Sequence, residues 1–164
     1  MANKVIIIRG PLGVGKSTIS TQLATMLSGL YIPLDDVLDR LGLDRVPPDA
    51  ECIPAQNFLT ALKSVLPQLK LAMAQGKSAV IDACFYHKEM IEYLESHFPG
   101  KTAVFTLDAP IDVCITRDRN RSKNHGEDAA RAVYSLVSRF SAGVRIDATQ
   151  PKEAIIEKIL AFLK

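Results

Sequence analysis

The chain predicts an α/β fold, a parallel sheet covered by helices on both faces, and three observations carry that expectation. Short apolar runs alternate with longer amphipathic segments along all 164 residues, the pattern of repeated strand–helix–strand units. The first run, VIIIR at residues 5–9, is too apolar to have a wet face and reads as a strand buried on both sides. It passes straight into a glycine-rich turn and then a helix-period segment, and right-handed crossovers follow from chain chirality.

The remaining elements follow in order. Ile19, Leu23, Met26 and Leu27 recur at helical spacing after the turn. LYIPL (30–34) is a short second strand, with Pro33 near its end where a missing donor is tolerable. Residues 42–54 carry three prolines and read as an excursion from the fold. A long helix then places Phe58, Leu62, Val65, Leu66, Leu69 and Met73 on one face, with Pro67 expected to kink or split it and Gly76 ending it. SAVIDA (78–83) is a third strand, 87–97 a helix stopped by Pro99-Gly100, and TAVFTL (102–107) a fourth strand. Pro110 suits the first turn of a helix running to about Arg121. After a polar break at 122–128, a helix is expected to bury Ala129, Ala132, Val133, Leu136, Val137 and Phe140. VRID (144–147) is a fifth strand, and Pro151 opens a terminal helix.

This length makes one domain, 1–164, with an acceptor-binding helical insertion at about 36–75 and a lid at about 117–128. A formal net charge of +2 gives no global pull toward nucleic acid or membrane. Cys52, Cys84 and Cys114 lack the paired spacing of zinc or redox motifs and read as three buried thiols in a reducing cytosol. No targeting segment opens the chain and no apolar stretch spans a bilayer, so the expected location is cytoplasmic, as a monomer or homodimer.

Gly10-Pro11-Leu12-Gly13-Val14-Gly15-Lys16-Ser17-Thr18 contains G-x-x-x-x-G-K-[ST] without a gap. Glycines let backbone N–H groups converge on phosphate oxygens, and the helix that starts there adds unpaired N–H groups and its positive dipole end. Lys16 is expected to reach the β- and γ-phosphates of a nucleoside triphosphate, most simply ATP, and the Ser17 hydroxyl to meet Mg²⁺. Asp35 and Asp36 emerge after strand two, at the edge where open α/β sheets bind ligands. One would orient an acceptor hydroxyl and take its proton while the other caps a helix, with Asp36 the choice for the base and little to separate the two. Strand three ends in Asp82, suited to hold a Mg²⁺-bound water; Asp108 has the same look but reads as a turn residue. Phe85, Tyr86 and His87 follow Asp82 and are candidates to line the acceptor pocket. Arg117 and Arg121, four apart before the polar break, suit a lid that closes over ATP and stabilises transferred charge.

GPLGVGKST, the aspartates after strand two, LDAPIDVCITRDRNR and RIDATQP fall in an order that resembles the small P-loop kinases of the adenylate-kinase-like fold. Shikimate, gluconate and adenylylsulfate kinases, chloramphenicol phosphotransferase and the kinase domain of polynucleotide kinases belong to that group. FYHKE and EDAARAVYSLVSRF also resemble ATP-binding proteins labelled AAA-family ATPases. The resemblance implies a three-layer P-loop NTPase fold with a five-stranded sheet in the order 2-3-1-4-5. It implies ATP and Mg²⁺ at Lys16 and Ser17, the acceptor at Asp36 or Asp35, the lid at Arg117 and Arg121, and adenine near Thr149 and Gln150. Shikimate- and gluconate-type relatives carry acceptor-binding arginines after strand two. Here that region offers Arg40 and Arg45 amid proline and apolar residues, which leaves the acceptor open.

The leading expectation is therefore ATP-dependent transfer to a hydroxyl of a small molecule. A 5′-hydroxyl kinase acting on nucleotides or nucleic acid would use the one dense basic run, Arg117, Arg119, Arg121 and Lys123. A non-catalytic ATP switch is the third reading; a guanine-specific N/T-K-x-D motif is absent after the later strands.

Overall fold

The computed structural model describes residues 2–122 and 124–164. Lys123, the last member of the basic run, lies outside the described residues. The elements are β1 (Val5–Arg9), α1 (Lys16–Met26), β2 (Leu30–Pro33), α2 (Leu34–Arg40), α3 (Ala55–Ala74), β3 (Ala79–Ala83), α4 (Lys88–His97), β4 (Thr102–Asp108), α5 (Ile111–Arg119), α6 (Glu127–Val137), β5 (Val144–Asp147) and α7 (Lys152–Leu163). The five strands form one sheet in the order β2-β3-β1-β4-β5 with every pairing parallel. Order and direction are those the resemblance implied.

β1 is central because both of its faces are greasy. Val5 and Ile7 pack with Ile32, Ile81 and the apolar faces of α2, α3 and α4. Ile6 and Ile8 point the other way, into a second core with Val80, Phe105 and Leu107 and with Leu23 of α1 and Ile155, Ile156 and Ile159 of α7. These four apolar side chains of β1 are fully buried. Each contributes on the order of 1.5–3 kcal/mol of hydrophobic stabilisation, so the strand that delivers the glycine loop is among the most firmly held parts of the molecule.

Several local expectations are corrected. Pro67 does not divide α3, which runs unbroken through twenty residues. Pro67 and Lys63, whose carbonyl it cannot serve, both lie on the exposed side, while Phe58, Leu62, Val65 and Leu69 hold the opposite face in the core. A short helix, α2, begins immediately after β2, so the chain turns helical before either aspartate. α5 ends at Arg119, two residues early, and α6 starts at Glu127 inside the expected break. α6 buries Ala130, Leu136 and Val137, whereas Ala132 faces solvent. Cys84 and Cys114 are buried, but Cys52, within the proline-rich excursion, is only half-buried; all three thiols are free. Among the described residues, no helix is long and apolar enough to cross a membrane.

Candidate functional site

The loop between β1 and α1 is shaped by α5 beneath it. Gly13 has φ +77°, and a Cβ there would fall 2.1 Å from the Cys114 carbonyl oxygen and 3.1 Å from the Asp118 amide nitrogen. Only hydrogen at that position lets the loop lie on the α5 backbone. Gly15, at φ +106°, is the N-cap of α1 and turns the chain into the helix. No side chain caps α1 and no acid occupies its first turn. The Ile19 amide bonds the Gly15 carbonyl at 3.2 Å, which leaves the amides of Lys16, Ser17 and Thr18 ahead of it to an anion.

A cavity of about 380 Å³ opens over these amides. Gly13 to Thr18 form its floor, and Arg117, Arg121, Ala148, Gln150, Lys152 and Ile155 form its walls. Its volume suits a nucleotide-sized ligand. Lys16 is buried, with Nζ donating to the Pro11 carbonyl at 2.8 Å. Ser17 and Thr18 are exposed. Arg117 Nη1 donates to the carbonyls of Val14 (3.2 Å) and Ala148 (2.9 Å), so it clamps the phosphate loop to the turn after β5. Arg121 lies beyond the end of α5 yet reaches the same cavity. Arg119 does not: it is paired with Glu127, which Arg131 also grips at 2.8 Å. In the turn after β5, Asp147 Oδ1 accepts from the Thr149 amide (2.9 Å) and hydroxyl (2.6 Å). Of the two adenine-side candidates, Gln150 lines the cavity while the Thr149 hydroxyl is committed to Asp147.

The second half of the site gathers carboxylates. Asp82, at the end of β3, is buried and accepts from the Tyr31 hydroxyl at 3.2 Å. Burial pushes its carboxyl up to about 6, against the pull of Lys16 and with a further push from Asp35. The neighbouring Ser20 hydroxyl is fully buried and opposes that rise. Asp35 is open to water but crowded by protein on most sides. That desolvation holds its carboxyl above the ordinary range, opposed by Lys16, His125 and Arg121. Asp36, the choice for the base, lies one residue on and so about 100° around the helix. Asp35 lies within the field of Lys16, His125 and Arg121, and Asp82 within that of Lys16 and Asp35. Neither aspartate caps α2, whose N-cap is Pro33. Asp108 is held at the β4 end by Arg145 Nε at 3.0 Å, on the far side of β1 from Asp82.

Phe85, Tyr86 and His87 separate. Phe85 adopts φ +47° and its ring is fully buried, so it is a core residue at a strained turn, not part of a pocket wall. That turn swings Tyr86 and His87 back onto Phe58 of α3, with ring centroids 5.4 and 5.8 Å away. His87 Nε2 lies 2.7 Å from the Ile53 carbonyl and 3.8 Å from Cys52 Sγ, which pins the proline-rich excursion to the sheet edge.

Two residues that the sequence did not single out, Arg9 and Asp118, organise the site. Arg9, one residue before the loop, is 1% exposed. It donates to the carbonyls of Phe85 (3.3 Å), Val137 (2.9 Å) and Phe140 (3.3 Å) and to Thr106 Oγ1 (3.2 Å). Burial lowers its pKa to about 10, and it stays charged. Asp118, also 1% exposed, accepts from the amides of His125 (2.9 Å) and Gly126 (3.3 Å), and its other oxygen meets His125 Nδ1 at 3.1 Å. Burial alone would raise Asp118, but these bonds outweigh it and hold the carboxyl below its usual range. A lone arginine in a strand and an acid inside a charge run carry no sequence signal of such roles.

Among the described residues, no three His, Cys, Asp or Glu side chains converge as a metal cage. Mg²⁺ is held in nucleotide sites by few protein oxygens plus phosphates. The exposed Ser17 hydroxyl at the loop and the buried Asp82 carboxylate at the end of β3 fit that habit.

A family model described as AAA domain matches residues 5–143. Solved structures share the fold at low identity. A gluconokinase from Sinorhizobium meliloti is 18% identical, with a TM-score of 0.75 over 98% of this chain and 91% of that one. A sugar kinase from Janibacter sp. is 20% identical, with a TM-score of 0.77 over 98% and 94%. The tunicamycin resistance protein of Deinococcus radiodurans is 20% identical, with a TM-score of 0.68 over 98% and 95%. No curated protein matches the sequence significantly. The match to the family model covers most of the chain, and the chain belongs to the AAA domain family.

Proposed function

We propose that this AAA-domain chain is an ATP-dependent phosphotransferase that moves the γ-phosphoryl group to a hydroxyl of a small molecule. The observation that carries the reading is the cavity in which the amide-lined loop and Lys16 meet Arg117 and Arg121. Binding and positioning supply most of the catalysis in phosphoryl transfer. The loop amides and Lys16 hold the triphosphate, and Arg117 and Arg121 neutralise charge on the transferring group. Asp35 orients the acceptor hydroxyl and takes its proton; a carboxyl raised above the ordinary range is better matched to that task near neutral pH. Ser17, with Asp82 through a water, would hold Mg²⁺, which supplies charge neutralisation between the phosphates when bound.

A fold shared with a gluconokinase and a sugar kinase supports a small polar acceptor. The nucleic-acid reading gains nothing, because Arg119 is turned to Glu127 and interrupts the basic run. Incubation with labelled ATP and a panel of sugars, sugar acids and amino sugars tests the proposal. Transfer of label to an acceptor, lost in Asp35→Asn, is expected. Brisk hydrolysis with no transfer to any acceptor would count against it and favour the switch.

A further inference from the structure

Tyr31 enters the site through Asp82, whose Oδ2 accepts its hydroxyl at 3.2 Å. Strand register sets up the contact. On the edge strand β2, Tyr31 pairs with Val80 of β3, and Pro33 pairs with Asp82. Val80 and Asp82 are two apart, so their side chains leave the same face of β3. That face is the one α1 covers: Val80 shares a core with Ile19 and Leu23, and Tyr31 packs against it. Two residues of strand span about 6.6 Å, a distance that a phenol bridges when it leans along the strand. Its hydroxyl is thereby carried to the C-terminal edge of the sheet. Asp82 there is level with Ile8 of β1, two residues before the phosphate loop opens at Gly10.

The first turns of α1 close the arrangement from above. Ser20 is fully buried, and its hydroxyl bears on the Asp82 carboxyl. The hydroxyls of Ser17 and Thr21 bear on the phenol. Ser17, three residues before Ser20 and four before Thr21, lies on their side of the helix and is exposed. The phenol thus lies between a strand carboxylate and a helix hydroxyl, the two groups that the reading above gives to Mg²⁺. Chemistry fixes the direction of its bond. An ionised carboxylate only accepts, and burial raises the phenol above its already high ordinary pKa, so Tyr31 keeps its proton and donates.

We propose that Tyr31 is a positioning residue for the metal: by holding Oδ2 of Asp82 it fixes the carboxylate so that the second oxygen meets the water shell of Mg²⁺ beside Ser17. The inference rests on the metal-holding pair of the phosphotransfer reading and deepens it by adding a residue of β2. Tyr31 is not among the residues that line the nucleotide cavity, and no bond to it is made or broken.

Tyr31→Phe removes the hydroxyl and keeps the ring, so the core under α1 stays filled. Metal binding is read without turnover, on the full-length protein loaded with a non-hydrolysable ATP analogue. Mg²⁺ is titrated by calorimetry and Mn²⁺ by electron paramagnetic resonance. Tyr31→Phe should weaken binding of either ion roughly tenfold, as loss of a group that orients a metal ligand does, and leave affinity for the metal-free analogue within about twofold. In an Asp82→Ala background the same change should cost nothing further, because Tyr31 acts through that carboxylate. With an acceptor found in the panel, turnover lost in Tyr31→Phe should return as Mg²⁺ is raised, a rescue that a merely structural defect does not give. Unchanged metal affinity in folded Tyr31→Phe, or losses that add in the double variant, overturn the role of Tyr31 and leave phosphotransfer standing. Wild-type metal affinity in Asp82→Ala overturns it as well, by removing Asp82 from the metal. If the panel holds no acceptor, the phosphotransfer reading falls, and the metal titrations still decide the role of Tyr31.

Discussion

Gly13→Ala probes the joint on which the site depends, because the added methyl would meet backbone rather than a yielding side chain. The new Cβ would lie 2.1 Å from the Cys114 oxygen, 3.0 Å from its carbonyl carbon and 3.1 Å from the Asp118 nitrogen. Two costs add. Placing alanine at φ +77° costs about 1–2 kcal/mol, the penalty for an L-residue in the left-handed region. Pushing the loop off α5 costs about 1–3 kcal/mol more, as overpacking does elsewhere. A loss of about 3 kcal/mol corresponds to a Tm lower by roughly 6–12 °C for a domain of this size. Gly15→Ala is the control: φ there is +106°, but nothing lies within 4 Å of its Cβ, so only the conformational cost applies. Displacing α5 would also break the Arg117 bonds to Val14 and Ala148, so ATP affinity should fall about tenfold, roughly the 1.4 kcal/mol expected of such contacts. Thermal denaturation by circular dichroism and ATP titration calorimetry read both effects. Equal melting points for the two variants, or a Gly13→Ala protein within about 2 °C of wild type, would refute the argument that α5 backbone sets the loop.

The other expectations follow from charge and burial. Asp82 has a folded-state pKa near 6, above the unfolded value of about 3.9, so folding disfavours its charged form. It costs nothing below the unfolded pKa, and the penalty grows as pH rises through 6 to about 3 kcal/mol. Asp82→Asn should therefore melt higher than wild type at pH 7, with the gap closing toward pH 4, while losing turnover; a gap that does not change with pH refutes the assignment. Asp35→Asn should abolish transfer to an acceptor and Asp36→Asn should spare it. Wild-type transfer should fall on the acid side at a pH above that of an ordinary carboxylate, because the Asp35 carboxyl is raised. Lys16→Met should lower ATP affinity and turnover by more than a hundredfold and push the Asp82 and Asp35 carboxyls higher still, since Lys16 pulls both down. Arg9→Met leaves the Phe85, Val137 and Phe140 carbonyls without their donor, at about 1–3 kcal/mol each, and chemical denaturation should show a loss of at least about 3 kcal/mol.

How far the sequence reached depends on whether the physics was local. The strand–turn–helix at 5–27 was legible because apolar alternation, obligatory glycines and a lysine at fixed spacing all act within a few bonds of one another. The alternation of strands and helices then allowed few topologies, and the observed order is the one implied by resemblance. The element ends were less legible. Pro67 was read as a break because a proline removes a helical bond, yet α3 continues since that face is wet and the opposite face is locked in the core.

The glycine loop that floors the cavity was thus legible in the chain itself, while the surroundings of Asp35, Asp82 and Phe85 were not. Asp35 and Asp36 are adjacent and look alike in sequence, and only the packing of α2 gives them different neighbours. Phe85 is no pocket residue because its ring is fully buried at a positive φ, where its carbonyl accepts from Arg9. Asp118 and His125 meet only because a loop folds back over the end of α5, seven residues later in the chain. Desolvation and aim are properties of neighbours brought from far along the chain, and only the tertiary fold supplies those neighbours.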